Sequence, residues 1–191
     1  MLSLKVPRRS SALTIFAALI ILISGVCSSA SVVANDRIAA PLSGATQWLN
    51  SKPLNSEMLR GKVVLVDFWT YSCSNCLNAL PHVKDWDAQY RSQGLVVIGV
   101  HTPEFDAEKN QQNVEQAIKR LDVRYPVAMD NQYAIWKAYG NQYWPAQYLI
   151  DAQGRLRYQH YGEGAYQEIN SNIQILLKEA QQGQHDGAGM H

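Results

Sequence analysis

Two cysteines separated by two residues, Cys73 and Cys76, are the residues of this sequence most suited to chemistry. A Cys-x-x-Cys pair can bind zinc, form a structural disulfide or exchange electrons. Zinc requires four ligands, and none of the five histidines is spaced as a partner pair for these cysteines. A disulfide across three residues closes so short a loop that it stabilises the fold little through chain entropy. Redox exchange is therefore the favoured chemistry, and no metal is expected.

The elements around the pair would place it at one edge of a sheet. Residues 62–69 and 94–101 are apolar runs of strand length, and residues 74–92 between them have apolar side chains at helical spacing. This pattern predicts two parallel strands joined by a helix. A cysteine where such a strand ends lies near the free N–H groups and partial positive charge of the helix N-terminus. Cys73 is therefore predicted as the nucleophile, and Cys76, one turn later and more buried, as the resolving thiol.

The rest of the chain continues the alternation of strands and helices. Further helices are predicted over residues 107–121, 132–139 and 166–180, and further strands over 125–130, 146–150 and 156–161, with "ATQWLN" as an edge strand. The predicted fold is α/β, with a mixed central sheet that is parallel in its first half, ends in an antiparallel hairpin and has helices on both faces. One domain is expected over residues 35–180, followed by a disordered tail, residues 181–191.

The active-site segment "VVLVDFWTYSCSNCLNALP" resembles that of the thioredoxin superfamily. It is most similar to the exported TlpA-like branch and to the thioredoxin-like domain that DipZ-type proteins carry beside a membrane electron carrier. The resemblance covers residues 63–177, where "HTPEF", "YPVAMDN", "YWPAQYLID" and "YGEG" fit it as well. It implies a thioredoxin-like fold, thiol-disulfide oxidoreductase activity on protein disulfides and a membrane electron-carrier partner. No separate cofactor is required for this exchange.

The same resemblance assigns roles to four further residues. Asp67 stands where thioredoxins keep a buried acid, which after desolvation would have a raised pKa and could accept the proton of Cys76. The alternative is a strand-end aspartate held by backbone N–H groups. Trp69 matches an aromatic residue that packs near the site, although a plain core residue would look the same. Pro145 stands at the position of a cis proline facing the dithiol, and the Trp144 backbone would pair with an extended substrate segment.

Two polar residues after the second strand are weaker candidates. His101 and Glu104 are expected at the same sheet edge as Cys73, where they could tune thiol acidity or contact a partner. The alternative is that both are solvated loop residues. Ser74 and Asn75 replace the Gly-Pro of thioredoxin itself, so the sequence leaves the redox potential open. The resemblance favours a reductase or isomerase over a general oxidant.

Residues 1–34 have the pattern of a secretory signal. Three basic residues precede an apolar stretch, residues 11–26, and small residues follow. Cleavage is expected after Ala30 or Ala34, the latter being favoured. An uncleaved membrane anchor is an alternative, because about 16 apolar residues are at the short limit for a bilayer span. A lipid-modified Cys27 is another, disfavoured by the bulky Val26 before it. In each case the domain is expected outside the cytoplasm, periplasmic or otherwise, with or without attachment to the inner membrane.

The charge balance excludes a nucleic-acid-binding face. The whole chain carries a net charge of +1, and without the three basic residues of the leader 14 basic side chains face 16 acidic ones. No basic run with interleaved aromatic residues occurs.

Two other function classes remain open. The spacing of Thr70 and Cys73 resembles the peroxiredoxin arrangement of a hydroxyl three residues before the attacking cysteine, although Val66 replaces the expected proline. A thiol peroxidase would pass through a sulfenic acid. The third class is a non-catalytic binding module with a thioredoxin fold.

Overall fold

A computed structural model of the chain describes residues 37–188. The predicted signal segment, residues 1–34, lies outside the described residues. Within the described range the chain forms six strands and four α-helices in this order: β1 (Gln47–Leu49), β2 (Val63–Trp69), α1 (Ser74–Tyr90), β3 (Leu95–His101), α2 (Gln111–Arg120), β4 (Val127–Met129), α3 (Ala134–Tyr139), β5 (Ala146–Ile150), β6 (Leu156–Tyr161) and α4 (Tyr166–Ala188). None of the described helices is long and apolar enough to cross a membrane.

The strands form one mixed sheet in the order β1-β4-β3-β2-β5-β6. Strands β2, β3 and β4 are parallel, whereas β1, β5 and β6 pair antiparallel with their neighbours. This arrangement confirms the predicted sheet, including the edge strand in "ATQWLN" and the C-terminal hairpin. Because β2 lies between β3 and β5, its carboxyl end is at the centre of the sheet edge that carries the cysteines.

Both faces of β2 are covered, which explains why all of its residues except Asp67 are apolar. Val63, Leu65 and Trp69 pack in one core with α1, α2 and α4. Val64 and Phe68, on the alternate face, pack in a second core with α3 and the segment before β1. All seven residues of β2 are buried, and each fully buried large apolar side chain contributes about 1.5–3 kcal/mol. The predicted helices on both faces are thereby confirmed.

Two predicted helix boundaries need correction. The predicted helix over residues 107–121 is divided into a 3-10 helix, Asp106–Lys109, and α2. The break lies at Asn110, which has extended backbone angles and accepts a hydrogen bond from the Asn113 N–H as the N-cap of α2. The predicted disorder from residue 181 is corrected for residues 181–188, because α4 runs to Ala188. The segment contains two glycines, but extending an existing helix avoids the cost of forming a new nucleus.

Candidate active site

Cys73 and Cys76 form the disulfide at the start of α1, with their Cα atoms 5.2 Å apart. Cys73 is the N-cap of the helix, and its Sγ accepts a hydrogen bond from the Cys76 N–H at 3.2 Å. The first turn of α1 contains no acidic residue, so no side chain there opposes the partial positive charge of the helix terminus. Cys73 is half-buried and Cys76 only 3% exposed. A thiolate is thus best stabilised, and reached from outside, at Cys73.

Asp67 lies in β2 on the face that packs against α1, and is 3% exposed. Its Oδ1 accepts a hydrogen bond from the Gln147 side chain of β5 at 2.8 Å. Burial raises the pKa of Asp67 to about 7, and the Gln147 hydrogen bond offsets only part of this effect. These contacts do not match the alternative of an aspartate held by backbone N–H groups, because the hydrogen bond to Asp67 comes from the side chain of Gln147. A carboxyl group that titrates near neutrality can both accept and return a proton.

The raised pKa of Asp67 predicts that Asp67→Asn stabilises the oxidised protein at alkaline pH. The folded-state pKa of about 7 lies above the ordinary value of 3.8, so the unfolded chain ionises first and the fold loses stability between about pH 4 and 7. Asparagine removes this loss, with an expected gain of about 2–4 kcal/mol at pH 8 and almost none at pH 4. Urea unfolding at the two pH values measures it, with the exposed Asp85→Asn as control. A difference that is the same at both pH values would contradict the assignment.

Gly99 leaves space for two aromatic side chains that pack against it, those of Trp69 and Tyr125. It is the β3 residue paired with Asp67, and a Cβ atom there would lie 2.8 Å from the Trp69 Nε1 and 3.0 Å from the Tyr125 ring. Trp69 and Tyr125 are both almost completely buried. Only glycine therefore permits this packing beneath the cysteines. The glycine inside the run "GLVVIGVH" was the available sequence signal, because glycine within a strand often marks close approach.

Three segments at the sheet edge that carries the cysteines are bonded to one another. The Trp144–Pro145 peptide bond is cis, as the resemblance implies. The Trp144 Nε1 donates to the Thr102 carbonyl at 3.1 Å, and the Thr102 N–H donates to the Trp69 carbonyl at 3.1 Å. The indole of Trp144 also packs on Trp136, with ring centres 4.1 Å apart. The loops that follow β2 and β3 and the loop that precedes β5 are thus held together at the sheet edge.

His101 is the last residue of β3, within the strand predicted over residues 94–101, and it is fully buried, so the alternative of a solvated loop residue is wrong for His101. Its Nε2 lies 3.3 Å from the Thr70 Oγ1, and its ring stacks on Tyr71 and meets Trp69 edge-on. Burial lowers the pKa of His101 to about 4, although the nearby Glu108 charge acts in the opposite direction. The imidazole is therefore neutral at physiological pH.

The buried glutamate near Cys73 is Glu108 and not the predicted candidate Glu104. Glu104 is exposed, and its backbone N–H donates to the Glu108 Oε2 at 2.6 Å. Glu108, which sequence reasoning missed, is only 1% exposed and accepts a hydrogen bond from the hydroxyl of Ser72, next to Cys73. A glutamate in a predicted amphipathic surface helix gave no signal of burial. Within the described residues, no three His, Cys, Asp or Glu side chains are grouped as a metal site would require.

Comparison with known proteins identifies the family of this chain. The sequence pattern of the AhpC/TSA family matches residues 39–159. The protein DipZ of Mycobacterium tuberculosis is 50% identical over 148 residues, which are 76% of this chain and 21% of DipZ. The chain thus corresponds to about a fifth of that relative. The thiol-disulfide oxidoreductase YkuV of Bacillus subtilis is 28% identical over 73% of this chain and 94% of its own length.

Solved structures agree with the fold. The thioredoxin-like superfamily protein SPOA0173 superposes with a TM-score of 0.69 at 25% identity, covering 74% of this chain and 96% of its own. A thioredoxin-like protein solved in its oxidised form gives a TM-score of 0.68 at 28% identity, covering 75% and 97%. Both confirm the thioredoxin-like fold expected from the active-site segment. The chain therefore belongs to the AhpC/TSA family and folds as its thioredoxin-like members do.

Proposed function

We propose that the protein is an exported thiol-disulfide oxidoreductase that exchanges electrons with protein disulfides through Cys73 and Cys76. The observation that carries the proposal is the placement of an accessible cysteine at a helix N-cap, with a buried second cysteine one turn later. Asp67 on the face beneath them adds an acid whose pKa of about 7 suits proton transfer. The name of the YkuV relative, a thiol-disulfide oxidoreductase, supports the same chemistry.

In the proposed reaction two electrons pass from the dithiol to the partner. The Cys73 thiolate attacks one sulfur of the partner disulfide, the partner's S–S bond breaks, and its second sulfur leaves as a thiolate that takes up a proton. Asp67 accepts the proton of Cys76, whose thiolate then attacks the Cys73 sulfur. The mixed disulfide breaks, and the partner leaves with both of its cysteines reduced. A dithiol of an electron donor must afterwards reduce the Cys73–Cys76 disulfide.

The loop of the cis proline is the proposed seat of the partner segment. Because the Trp144 side chain is bonded to Thr102 and packed on Trp136, its backbone is held in place at the sheet edge that carries the cysteines. An extended partner segment would pair with this backbone, as the resemblance to thioredoxins implies. Glu104, which is exposed at the same edge, is available to contact the partner, whereas the buried His101 is not.

We infer that the protein acts as a reductase or isomerase fed by a membrane electron carrier. The resemblance to the TlpA-like and DipZ-type domains supports this direction, and residues 1–34 support a position outside the cytoplasm. Fusion of residues 1–34 to a reporter enzyme that is active only after export tests the second point. N-terminal sequencing of the mature protein then distinguishes cleavage after Ala30 or Ala34 from an intact anchor.

The peroxidase alternative is less well supported at the level of contacts. Its key hydroxyl, that of Thr70, is fully buried and lies against His101 and Glu108. It is therefore engaged away from an incoming peroxide. Turnover of hydrogen peroxide with trapping of a sulfenic acid at Cys73 would favour this class. Equal behaviour of the wild type and a double Cys→Ser variant in every assay would favour a binding module.

The proposal predicts that the Cys73 thiol has a pKa below the ordinary value of about 8.5. The helix terminus and the Cys76 N–H, which already contacts the Cys73 Sγ, favour the charged form. The rate of alkylation of the reduced protein as a function of pH measures this pKa, and mass spectrometry identifies the modified cysteine. A value at or above that of a free thiol would remove the electrostatic basis of the mechanism.

A further inference from the structure

A buried carboxylate joins the loop before Cys73 to the loop after β3. Glu108 accepts a hydrogen bond from the Ser72 hydroxyl on one oxygen, and from the backbone N–H groups of Glu104 and Phe105 on the other, at 2.6 and 3.1 Å. Thr70 contributes a further hydrogen bond. These donors are hydroxyls and backbone amides, and all are neutral. A buried negative charge is therefore hydrogen-bonded to Ser72, the residue directly before the cysteine that is proposed to attack.

The surroundings of Glu108 keep this charge ionised, and none of the ion pairs within residues 37–188 includes it. Burial acts to raise the pKa of Glu108, but the hydrogen bonds from Ser72, Thr70 and the two amides together lower it. His101, which faces it from the end of β3, is neutral because burial lowers its pKa to about 4. Two other ionisable side chains in this region have partners of their own. The Tyr133 hydroxyl donates a hydrogen bond to the Pro103 carbonyl, and Lys109 forms an ion pair with Asp106.

We propose that Glu108 is a positioning residue for the dithiol, which fixes the loop before Cys73 and limits how far the helix terminus favours the Cys73 thiolate. The inference rests on the proposed role of Cys73 as the attacking thiol. The hydrogen bonds hold residues 70–72 against the loop after β3, so Cys73 is presented to Cys76 in a fixed position. The negative charge opposes ionisation of a nearby thiol. It thereby keeps the reduced state from becoming too stable, because a more acidic thiol favours the dithiol form.

The variant Glu108→Gln separates charge from hydrogen bonding. The Gln oxygen can accept from both amides while its NH2 group donates to Ser72, so the contacts are retained and only the charge is lost. We expect the pKa of Cys73, measured by alkylation rate against pH, to fall by about one unit. The equilibrium with glutathione should shift toward the dithiol by up to about tenfold above that pKa. Glu115→Gln, an exposed residue of α2, makes the same change in net charge and should alter neither quantity.

Ser72→Ala tests the positioning part at an exposed position, where the fold is not at risk. This variant keeps the Glu108 charge but removes the hydrogen bond that holds the loop before Cys73. The loop then gains conformational entropy in the reduced protein, and closing the disulfide costs more because that entropy is lost. The expected result is a shift of about two- to fivefold toward the dithiol, with the pKa of Cys73 within about 0.3 units of the wild type.

A folded Glu108→Gln protein whose Cys73 pKa equals that of the wild type would overturn the charge effect. An unchanged glutathione equilibrium in Ser72→Ala would overturn the positioning effect. The wild-type measurement separately decides the proposed function, because it shows which cysteine is alkylated first. The glutathione equilibrium reports on the pair whichever cysteine attacks, so failure of that assignment is distinguishable from failure of the Glu108 inference.

Discussion

Cys76→Ser is expected to convert the protein from a turnover catalyst into a trap for its natural partner, whereas Cys73→Ser abolishes disulfide reduction and captures nothing. In the first variant the accessible Cys73 still attacks, but the buried thiol that would displace the partner is absent. In the second, the remaining Cys76 is only 3% exposed and cannot be reached by a protein disulfide.

Nonreducing electrophoresis of each variant after expression in the native host, followed by mass spectrometry of the bands that dithiothreitol releases, measures this difference. The two serine variants are matched controls for one another, because each removes one sulfur from the same helix turn. Reduction of a model protein disulfide should be undetectable in both. Capture by Cys73→Ser instead of Cys76→Ser would show that the attacking and resolving roles are reversed.

Asp67→Asn is expected to slow release of the mixed disulfide by about 10- to 100-fold near neutral pH while leaving the first attack nearly unchanged. Only the second step needs an acceptor for the Cys76 proton. Because the pKa of Asp67 is about 7, the wild-type release rate should rise as the pH increases through 7 and Asp67 ionises. That rise should be absent from the variant.

Single-turnover kinetics with a peptide disulfide separate the two steps, since formation and decay of the mixed disulfide can be quenched with acid and quantified. Asp85→Asn, an exposed change on α1, controls for the loss of one carboxylate from the same region. Unchanged release in a folded Asp67→Asn protein would return this residue to a purely structural role.

The strands and the dithiol were predictable because their signals are local. Strand β2 is apolar at every position except Asp67, as expected for a strand covered on both faces. The hairpin strands β5 and β6 were predicted with the bounds that the structure has. The cysteine pair needs only its own spacing and the strand-to-helix context to predict a capped helix terminus.

The supporting contacts were not predictable because they depend on tertiary packing. Gln147 reaches Asp67 from a strand 80 residues away in sequence, and Glu108 is buried only because the loop after β3 folds over the active-site loop. A glutamate in a polar segment predicts a solvated side chain. The break at Asn110 was missed because its capping role depends on backbone angles that the apolar pattern does not encode.

A redox titration of the Cys73–Cys76 pair against mixtures of reduced and oxidised glutathione measures most directly whether these cysteines form a working couple. We expect one reversible two-electron transition, approached equally from the dithiol and from the disulfide, and absent from both single Cys→Ser variants. The midpoint also separates a reductant from an oxidant. A disulfide that stays closed in excess dithiothreitol, or thiols that never pair, would contradict the proposed function.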